Sequence, residues 1–202
     1  MTGSAHTISF EAGQENVVLA YERVIAPTIG QGKRALTTEE FLIVEALFLR
    51  LMVEAEIALD EFYWGVLAGE FVVDPEYTPV QIFTSRSIAV QVTTEKGYIG
   101  WLPQRDISKK TDRFFKAKNP VARTGVADPD LLSQSTKIRN YIAHRSVESL
   151  EQLRPFVPAA SMPTDRRTSV GPFLLSRHTT SQSKFEAYSE QISAWVMAAL
   201  AD

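Results

Sequence analysis

The segment at residues 139–144 reads RNYIAH and places three chemically useful side chains within six positions. Arg139 carries a permanent positive charge, which can hold a phosphate group. His144 changes its protonation state near neutral pH, so its imidazole can carry a proton to or from a reacting group. Asn140 lies between them in the chain and can orient either partner through its amide. A phosphate-binding cation beside a proton carrier is a minimal set of groups for cleaving RNA.

The basic residues of the chain are concentrated around this segment. The whole chain has a net charge of −3, which argues against a general nucleic-acid coat protein. Residues 1–104 hold 6 basic and 14 acidic side chains, whereas residues 105–145 hold 10 basic and 4 acidic ones. The second block therefore predicts a local positive field that attracts phosphates. The alternative is that these cations only keep one helix face in contact with water.

Composition excludes several other classes of protein. The chain contains no cysteine, so it has no disulfide framework, thiolate nucleophile or cysteine-ligated metal, and we expect a cytoplasmic location. The most apolar stretch, residues 41–68, contains six charged side chains and is not expected to span a membrane. The first ten residues lack the basic start and apolar run of a signal peptide. With 202 residues, of which 45% are apolar, we expect one compact domain.

Apolar residues at helical spacing predict an all-α fold. A short helix is expected over residues 14–25, followed by a loop. Thr37 and Glu40 have the spacing of a capping box, which predicts the start of a second helix. Apolar residues then recur for seven turns until Gly69, so this helix is expected to be about 45 Å long and to form the centre of the fold.

Asp128 and Pro129 predict the start of the helix that carries the RNYIAH segment, because they suit the cap and first-turn positions. At 100° per residue, the apolar stripe of this helix consists of Leu131, Ser135, Ile138 and Ile142. Asn140 and His144 lie on the opposite face, one turn apart, and Arg139 lies between the two faces. Core packing of this helix therefore does not explain the three polar residues.

The remaining segments are less regular. Residues 70–100 fit either a hairpin, from the alternation at 88–92, or a short helix that begins near Ser85. A helix is expected from Pro103 to Lys116, where Asn119 and Pro120 stop it. Residues 154–180 contain four prolines and predict a long surface loop that is partly packed back through the apolar residues at 173–175. Residues 182–200 predict a closing helix.

With these motifs the chain resembles the HEPN superfamily, the higher eukaryotes and prokaryotes nucleotide-binding domain. Its signature is an Arg followed by a polar residue and then a His four to six positions after the Arg. The layout is similar to that of the prokaryotic branch of RiboL-PSP-associated HEPN proteins. There a long helix carries a Glu, for which Glu56 is the best match and Glu54 the alternative. A tryptophan stretch around Trp101 then precedes a helix that ends in paired phenylalanines and an X-Pro step, here Phe114, Phe115, Asn119 and Pro120.

The resemblance covers about residues 38–200 and implies an HEPN-like helical bundle with a long central helix and irregular loops. We therefore divide the chain into an N-terminal helix and loop, residues 1–37, and an HEPN-like domain, residues 38–202. Members of the superfamily usually form homodimers in which the two motifs meet at the interface. Many are metal-independent endoribonucleases that act as toxins or in phage defence, so RNA and an antitoxin protein are the implied partners, with no cofactor. The resemblance also favours the helix over the hairpin near Ser85.

This resemblance implies roles for the site residues. His144 would move the proton between the RNA 2′-hydroxyl and the leaving oxygen, and Arg139 would stabilise the phosphate. Asn140 would orient the imidazole or the phosphate, and Glu56 would hold Arg139 or His144 from the neighbouring helix. Lys137 and Arg145 are the expected supporting RNA contacts, or else solvated surface charges.

Three alternatives remain open. The chain is either an active nuclease or a catalytically inactive HEPN module that binds a nucleotide or a protein. His144, Arg139 and Asn140 also fit structural roles, as a ring bonded to a carbonyl, a partner of an acidic residue on the long helix, and a helix-terminus device. The third alternative is a metal-dependent enzyme built on the acidic side chains of the long helix: Glu54, Glu56, Asp60 and Glu61.

Overall fold

The structure is a computed structural model, and it describes residues 5–27, 36–71, 74–94, 101, 111–122 and 128–201. Within these ranges it contains seven α-helices, four short 3-10 helices, two isolated β-bridges and no β-strand. The prediction of an all-α fold is therefore confirmed. None of the described helices is both long and apolar enough to cross a membrane.

The first helix, α1 (Ala5–Val24), starts nine residues before the predicted position. Its buried stripe consists of Phe10, Val17 and Tyr21, so the helical period extends further toward the N-terminus than predicted. Gly13 lies on the side that faces the second helix, where a Cβ atom would come within 2.8 Å of the Glu54 carboxylate. A larger residue here would require the Glu54 side chain to shift, which glycine avoids, although glycine lowers helix propensity.

The second helix, α2 (Thr38–Leu67), has the predicted capping box. The Glu40 amide donates to the Thr37 hydroxyl at 3.3 Å, and the Thr37 amide donates to the Glu40 carboxylate at 2.8 Å. The helix ends two residues before Gly69, whose φ of +69° is the left-handed conformation that glycine adopts most easily. The predicted start, end and period of this helix are confirmed.

The next helix is α3 (Arg86–Thr93). Of the two structures that the sequence allowed for this segment, a hairpin and a short helix, the structure contains the helix. The Ser85 hydroxyl caps it by accepting from the Ile88 amide at 3.3 Å. Most of the helix predicted from Pro103 lies outside the described residues, and its described end is a 3-10 turn at Asp112–Phe114. The segment ends at Asn119, whose side-chain oxygen accepts a hydrogen bond from the backbone amide of Val121 at 3.1 Å.

The C-terminal half contains the remaining four helices, α4 (Pro129–His144), α5 (Val147–Glu151), α6 (Gly171–Leu174) and α7 (Lys184–Leu200). The predicted closing helix corresponds to α7, with Ser183 as its cap. The predicted loop is irregular except for α6 and a 3-10 turn, and the apolar residues at 173–175 are buried as expected.

Helix α2 lies at the centre of the described structure and contacts α1, α3, α4, α6 and α7. Its apolar residues join those of α1, α4 and α7 in one core. The largest fully buried side chains include Phe48 of α2, Tyr141 of α4, and Tyr188 and Trp195 of α7. The motif helix α4 is thus fixed against the central element of the fold.

Candidate active site

The buried face of α4 is rotated slightly from the predicted one. Ser135 and Ile138 are buried as expected, but Leu131 and Ile142 are only half-buried, and Leu132 and Tyr141 complete the buried face. Tyr141 can be buried because its hydroxyl donates to two backbone carbonyls, those of Thr168 at 2.5 Å and Asp165 at 3.0 Å. Burial raises the pKa of this phenol, although a hydrogen bond and the charge of Arg145 act in the opposite direction.

Arg139 is brought together with two of the predicted site residues. Its guanidinium donates to the Asn140 amide oxygen at 3.2 Å and lies 3.5 Å from the Glu56 carboxylate of α2. About a third of the surface of each charged side chain remains exposed, 32% in both cases. The guanidinium is therefore positioned by two partners and still reachable from solvent.

His144 is the last residue of α4, and its side chain is exposed. Among the described residues its imidazole has no hydrogen-bond partner, so no described carbonyl holds the ring in place. Lys137, Asn140 and His144 lie along one stripe of the helix because they are spaced by three and four residues. Arg139 and His144 are about 140° apart around the same helix, so one copy of α4 does not direct both groups to one point.

The two predicted RNA contacts lie in different environments. Lys137 is half-buried, and its ammonium lies 5.7 Å from the centre of the Phe156 ring, a distance typical of a cation–π contact. Arg145 instead points into the protein. Its guanidinium pairs with Glu45 at 2.5 Å and donates to the Thr168 carbonyl at 2.8 Å.

Glu45 is the central residue of a buried network that sequence reasoning missed. Only 3% of its side chain is exposed, and it accepts from the Ser169 hydroxyl at 2.9 Å and the Val170 amide at 2.7 Å. A buried carboxylate needs this kind of compensation, because its desolvation is unfavourable without donors. The available signal was the position of Glu45 in the apolar stripe of α2, between Phe41 and Phe48. An acidic residue at such a position indicates a buried partner.

Arg145 also ends α4 by its backbone conformation. Its φ of 47° and ψ of 36° are in the left-handed region, which is uncommon for a residue other than glycine. The guanidinium lies 4.8 Å from the centre of the Tyr141 ring, one turn earlier. Glu45, Tyr141 and Arg145 thus fasten the loop at 164–170 to the end of the motif helix.

The acidic residues of α2 point to separate partners. Glu54 pairs with Arg50, Glu56 pairs with Arg139, and Asp60 accepts from the Trp101 indole at 2.6 Å. Burial raises the pKa of Asp60, the Trp101 hydrogen bond lowers it, and the charge of Glu56 raises it further. Across the described part of the chain, no three His, Asp or Glu side chains are placed to hold a metal ion.

A cleft of about 590 Å³ lies away from this site, between α1, α7 and the loop before α7. Its lining includes Glu22, Glu186 and Glu190 but no lysine or arginine. The charge of these carboxylates makes the cleft unsuitable for a phosphate. The end of α4 is therefore the better candidate for nucleic-acid chemistry.

Comparison of this chain with family models, with curated proteins and with solved structures found no match. The function proposed below therefore depends on the residues of the site and on the motif they form.

Proposed function

We propose that this chain is a metal-independent endoribonuclease of the HEPN type. The observation that supports it most strongly is the arrangement of Arg139, which is held by Asn140 and Glu56 on the helix that ends in the exposed His144. A guanidinium fixed by an amide and a carboxylate is pre-oriented to receive a phosphate.

In the proposed reaction the imidazole of His144 takes the proton of the RNA 2′-hydroxyl. The 2′-oxygen attacks the adjacent phosphorus, and the bond to the 5′-oxygen breaks. The imidazolium of His144 gives the proton to the leaving 5′-oxygen and becomes neutral again, and the products are a 2′,3′-cyclic phosphate and a 5′-hydroxyl end. Proton transfer by a positioned side chain contributes about 10²–10⁴-fold to a rate. Arg139 stabilises the negative charge that accumulates on the phosphate.

The active form is proposed to be a homodimer. Because Arg139 and His144 diverge by about 140° on one helix, a two-fold contact would bring the Arg139 of one copy toward the His144 of the other. An exposed apolar stripe on α2 is available for such a contact, since Val53 and Ile57 flank Glu56 and are 40% and 46% exposed. Apolar side chains beside a charged site are typical of an interface.

The test is cleavage of a mixed, end-labelled RNA by the purified chain in the presence of EDTA. We expect cleavage by the wild type, and a loss of about 10²–10⁴-fold for His144→Ala. His178→Ala is the matched control, because His178 is an exposed histidine on the loop between α6 and α7. Equal cleavage by the wild type and His144→Ala, or intact RNA in every reaction, would contradict the proposal. Loss of all cleavage on chelation would instead support the metal-dependent alternative on α2.

The second candidate is a catalytically inactive HEPN module that binds a nucleotide or a protein. The pairing of Arg139 with Glu56 favours it, because the carboxylate neutralises part of the charge that would meet a phosphate. A stable complex with RNA that is never cleaved would identify this candidate.

The proposed biological role is that of a toxin or phage-defence effector, with an antitoxin protein as partner. We expect expression of the wild-type chain to slow bacterial growth and His144→Ala to relieve the effect. Equal growth with both chains would argue against this role.

A further inference from the structure

The loop at residues 164–168 is fixed against the end of α4. The Tyr141 hydroxyl donates to the carbonyls of Asp165 and Thr168, and the Arg145 guanidinium donates to the Thr168 carbonyl. The loop is also closed on itself, since the hydroxyls of Thr164 and Thr168 lie 2.9 Å apart. A surface loop with this many fixed backbone groups has little freedom left to lose when it binds a ligand.

Asp165 is the only acidic residue of this loop, and backbone amides of the loop bind its carboxylate. The Asp165 carboxylate accepts from the amides of Arg167 at 2.7 Å and Thr168 at 3.0 Å. These bonds lower the pKa of Asp165, with the Arg167 amide as the largest cause. The carboxylate is thus directed mainly at peptide N–H groups, and the charge of Arg167 is the smallest of the causes that act on its pKa.

Arg166 and Arg167 lie between the two fixed ends of the loop, and both side chains are exposed. Neither guanidinium has a carboxylate partner among the described residues. Most other described arginines have one, in the pairs Arg50–Glu54, Arg86–Glu70, Arg139–Glu56, Arg145–Glu45 and Arg154–Glu151. With two arginines and one aspartate, this fixed loop carries an excess of positive charge, although the charge of Arg167 also acts on Asp165.

This loop contacts the side of α4 next to His144. The loop binds Tyr141 and Arg145, and His144 is about 60° around the helix axis from Tyr141. The Phe156 ring lies on the same side, beside Lys137. The loop therefore lies at the C-terminal end of α4, on the side next to His144.

We propose that Arg166 and Arg167 form a binding site for the phosphates of a single-stranded RNA that passes His144. The inference rests on the proposed function, which it extends by naming the residues that hold the strand. Arginine suits this role because its planar guanidinium can donate two parallel hydrogen bonds to one phosphate. Neither residue takes part in the proton transfer, so their contribution is to binding and positioning.

The experiment measures the affinity of a fluorescein-labelled single-stranded RNA for the His144→Ala chain over a range of salt concentrations. Arg166→Ala and Arg167→Ala are each added to this background, and Arg177→Ala is the matched control on another loop. We expect weaker binding for the first two, with the slope of log affinity against log salt reduced by about 0.7 for each lost phosphate contact. The double variant Arg166→Lys/Arg167→Lys should keep most of the slope, because the charge remains.

Affinities and slopes equal to those of the Arg177→Ala chain would overturn the inference, as would the absence of any RNA binding by the His144→Ala chain. The proposed nuclease activity is tested separately, by cleavage with an intact His144. Binding that depends on Arg166 and Arg167 without any cleavage by the wild type would support this site and reject the nuclease.

Discussion

Two glutamate–arginine pairs join α2 to α4, and they differ in their exposure. Glu45 and Arg145 are 2.5 Å apart, with the glutamate side chain only 3% exposed and the arginine side chain 28% exposed. Glu56 and Arg139 are 3.5 Å apart, with both side chains 32% exposed. The first pair is closed by further donors from Ser169 and Val170, whereas the second opens to solvent.

The difference separates a structural pair from a candidate functional one. Removing one member of a buried pair leaves an uncompensated charge in the protein, so the pair resists any exchange of partner. A half-exposed pair at longer distance contributes little to stability, so its arginine can readily exchange a carboxylate for a phosphate. The pairs also run in opposite order along the two helices, which shows that α2 and α4 are antiparallel.

The largest expected effect follows from removing Glu45. Glu45→Ala should lower the free energy of unfolding by about 3 kcal/mol, near the lower end for a broken buried pair because Arg145 can still reach water. Urea unfolding measures this change. The control is Glu190→Ala, which removes an exposed glutamate from the middle of α7 and should stay within about 0.5 kcal/mol of the wild type. If Glu45→Ala were as stable as Glu190→Ala, the buried Glu45–Arg145 pair would not be the structural pair that we describe.

A smaller effect is expected from Tyr141→Phe. The ring stays buried, but the carbonyls of Asp165 and Thr168 lose the hydroxyl that donates to them. The free energy of unfolding should fall by about 1 kcal/mol. Limited proteolysis should show faster cleavage after Arg166 or Arg167, because the loop loses the attachment that Tyr141 provides. An unchanged proteolysis rate would mean that Arg145 and Glu45 hold the loop without Tyr141.

The exposed pair should have a still smaller influence on stability. A double-mutant cycle of Glu56→Gln and Arg139→Gln, measured by urea unfolding, should give a coupling energy of about 0.5 kcal/mol. This energy should decrease further in high salt, which screens exposed charges. A coupling as large as that between Glu45 and Arg145 would show that Arg139 is a structural residue.

The smallest effect concerns Asp60, one turn after Glu56 on α2. Burial raises its pKa in the folded protein, so its favourable contribution is present below its ordinary pKa and is lost as the pH rises through the raised one. Asp60→Asn keeps an oxygen for the Trp101 indole but cannot ionise. Urea unfolding at about pH 4 and about pH 7 should show that the variant gains stability over the wild type at the higher pH. A difference between the chains that does not change with pH would contradict the assigned cause.

Helix positions were predictable wherever local chemistry defined a terminus. The caps at Thr37 and Asp128 are set by hydrogen bonds within three residues, so their sequence pattern is sufficient. The start of α1 was predicted nine residues too late, because Gly13, a residue of low helix propensity, lies directly before the predicted start. The α3 segment was ambiguous because the apolar residues in its eight positions fit both the period of a strand and that of a helix. In the structure it is a helix, with Ser85 as its cap.

For the candidate site, the sequence indicated the residues and the structure supplied their partners. The close arrangement of Arg139 with Asn140 and Glu56 agrees with the predicted set. The motif distinguished Arg139 from Arg145, but it did not indicate that Arg145 pairs with the buried Glu45. It also carried no sign of Arg166 and Arg167, since residues more than twenty positions after the motif reach α4 only through folding.

The sequence by itself determined the all-α class, the central helix and the position of the motif at the end of its own helix. These features depend on periodicity and capping, which act over one or two turns. Only the tertiary structure decided which arginine is paired with a buried carboxylate, which is paired with an exposed one, and which loop lies beside His144. Such differences come from burial and long-range contacts, because the environment of a charged group is set by residues that are distant in the chain.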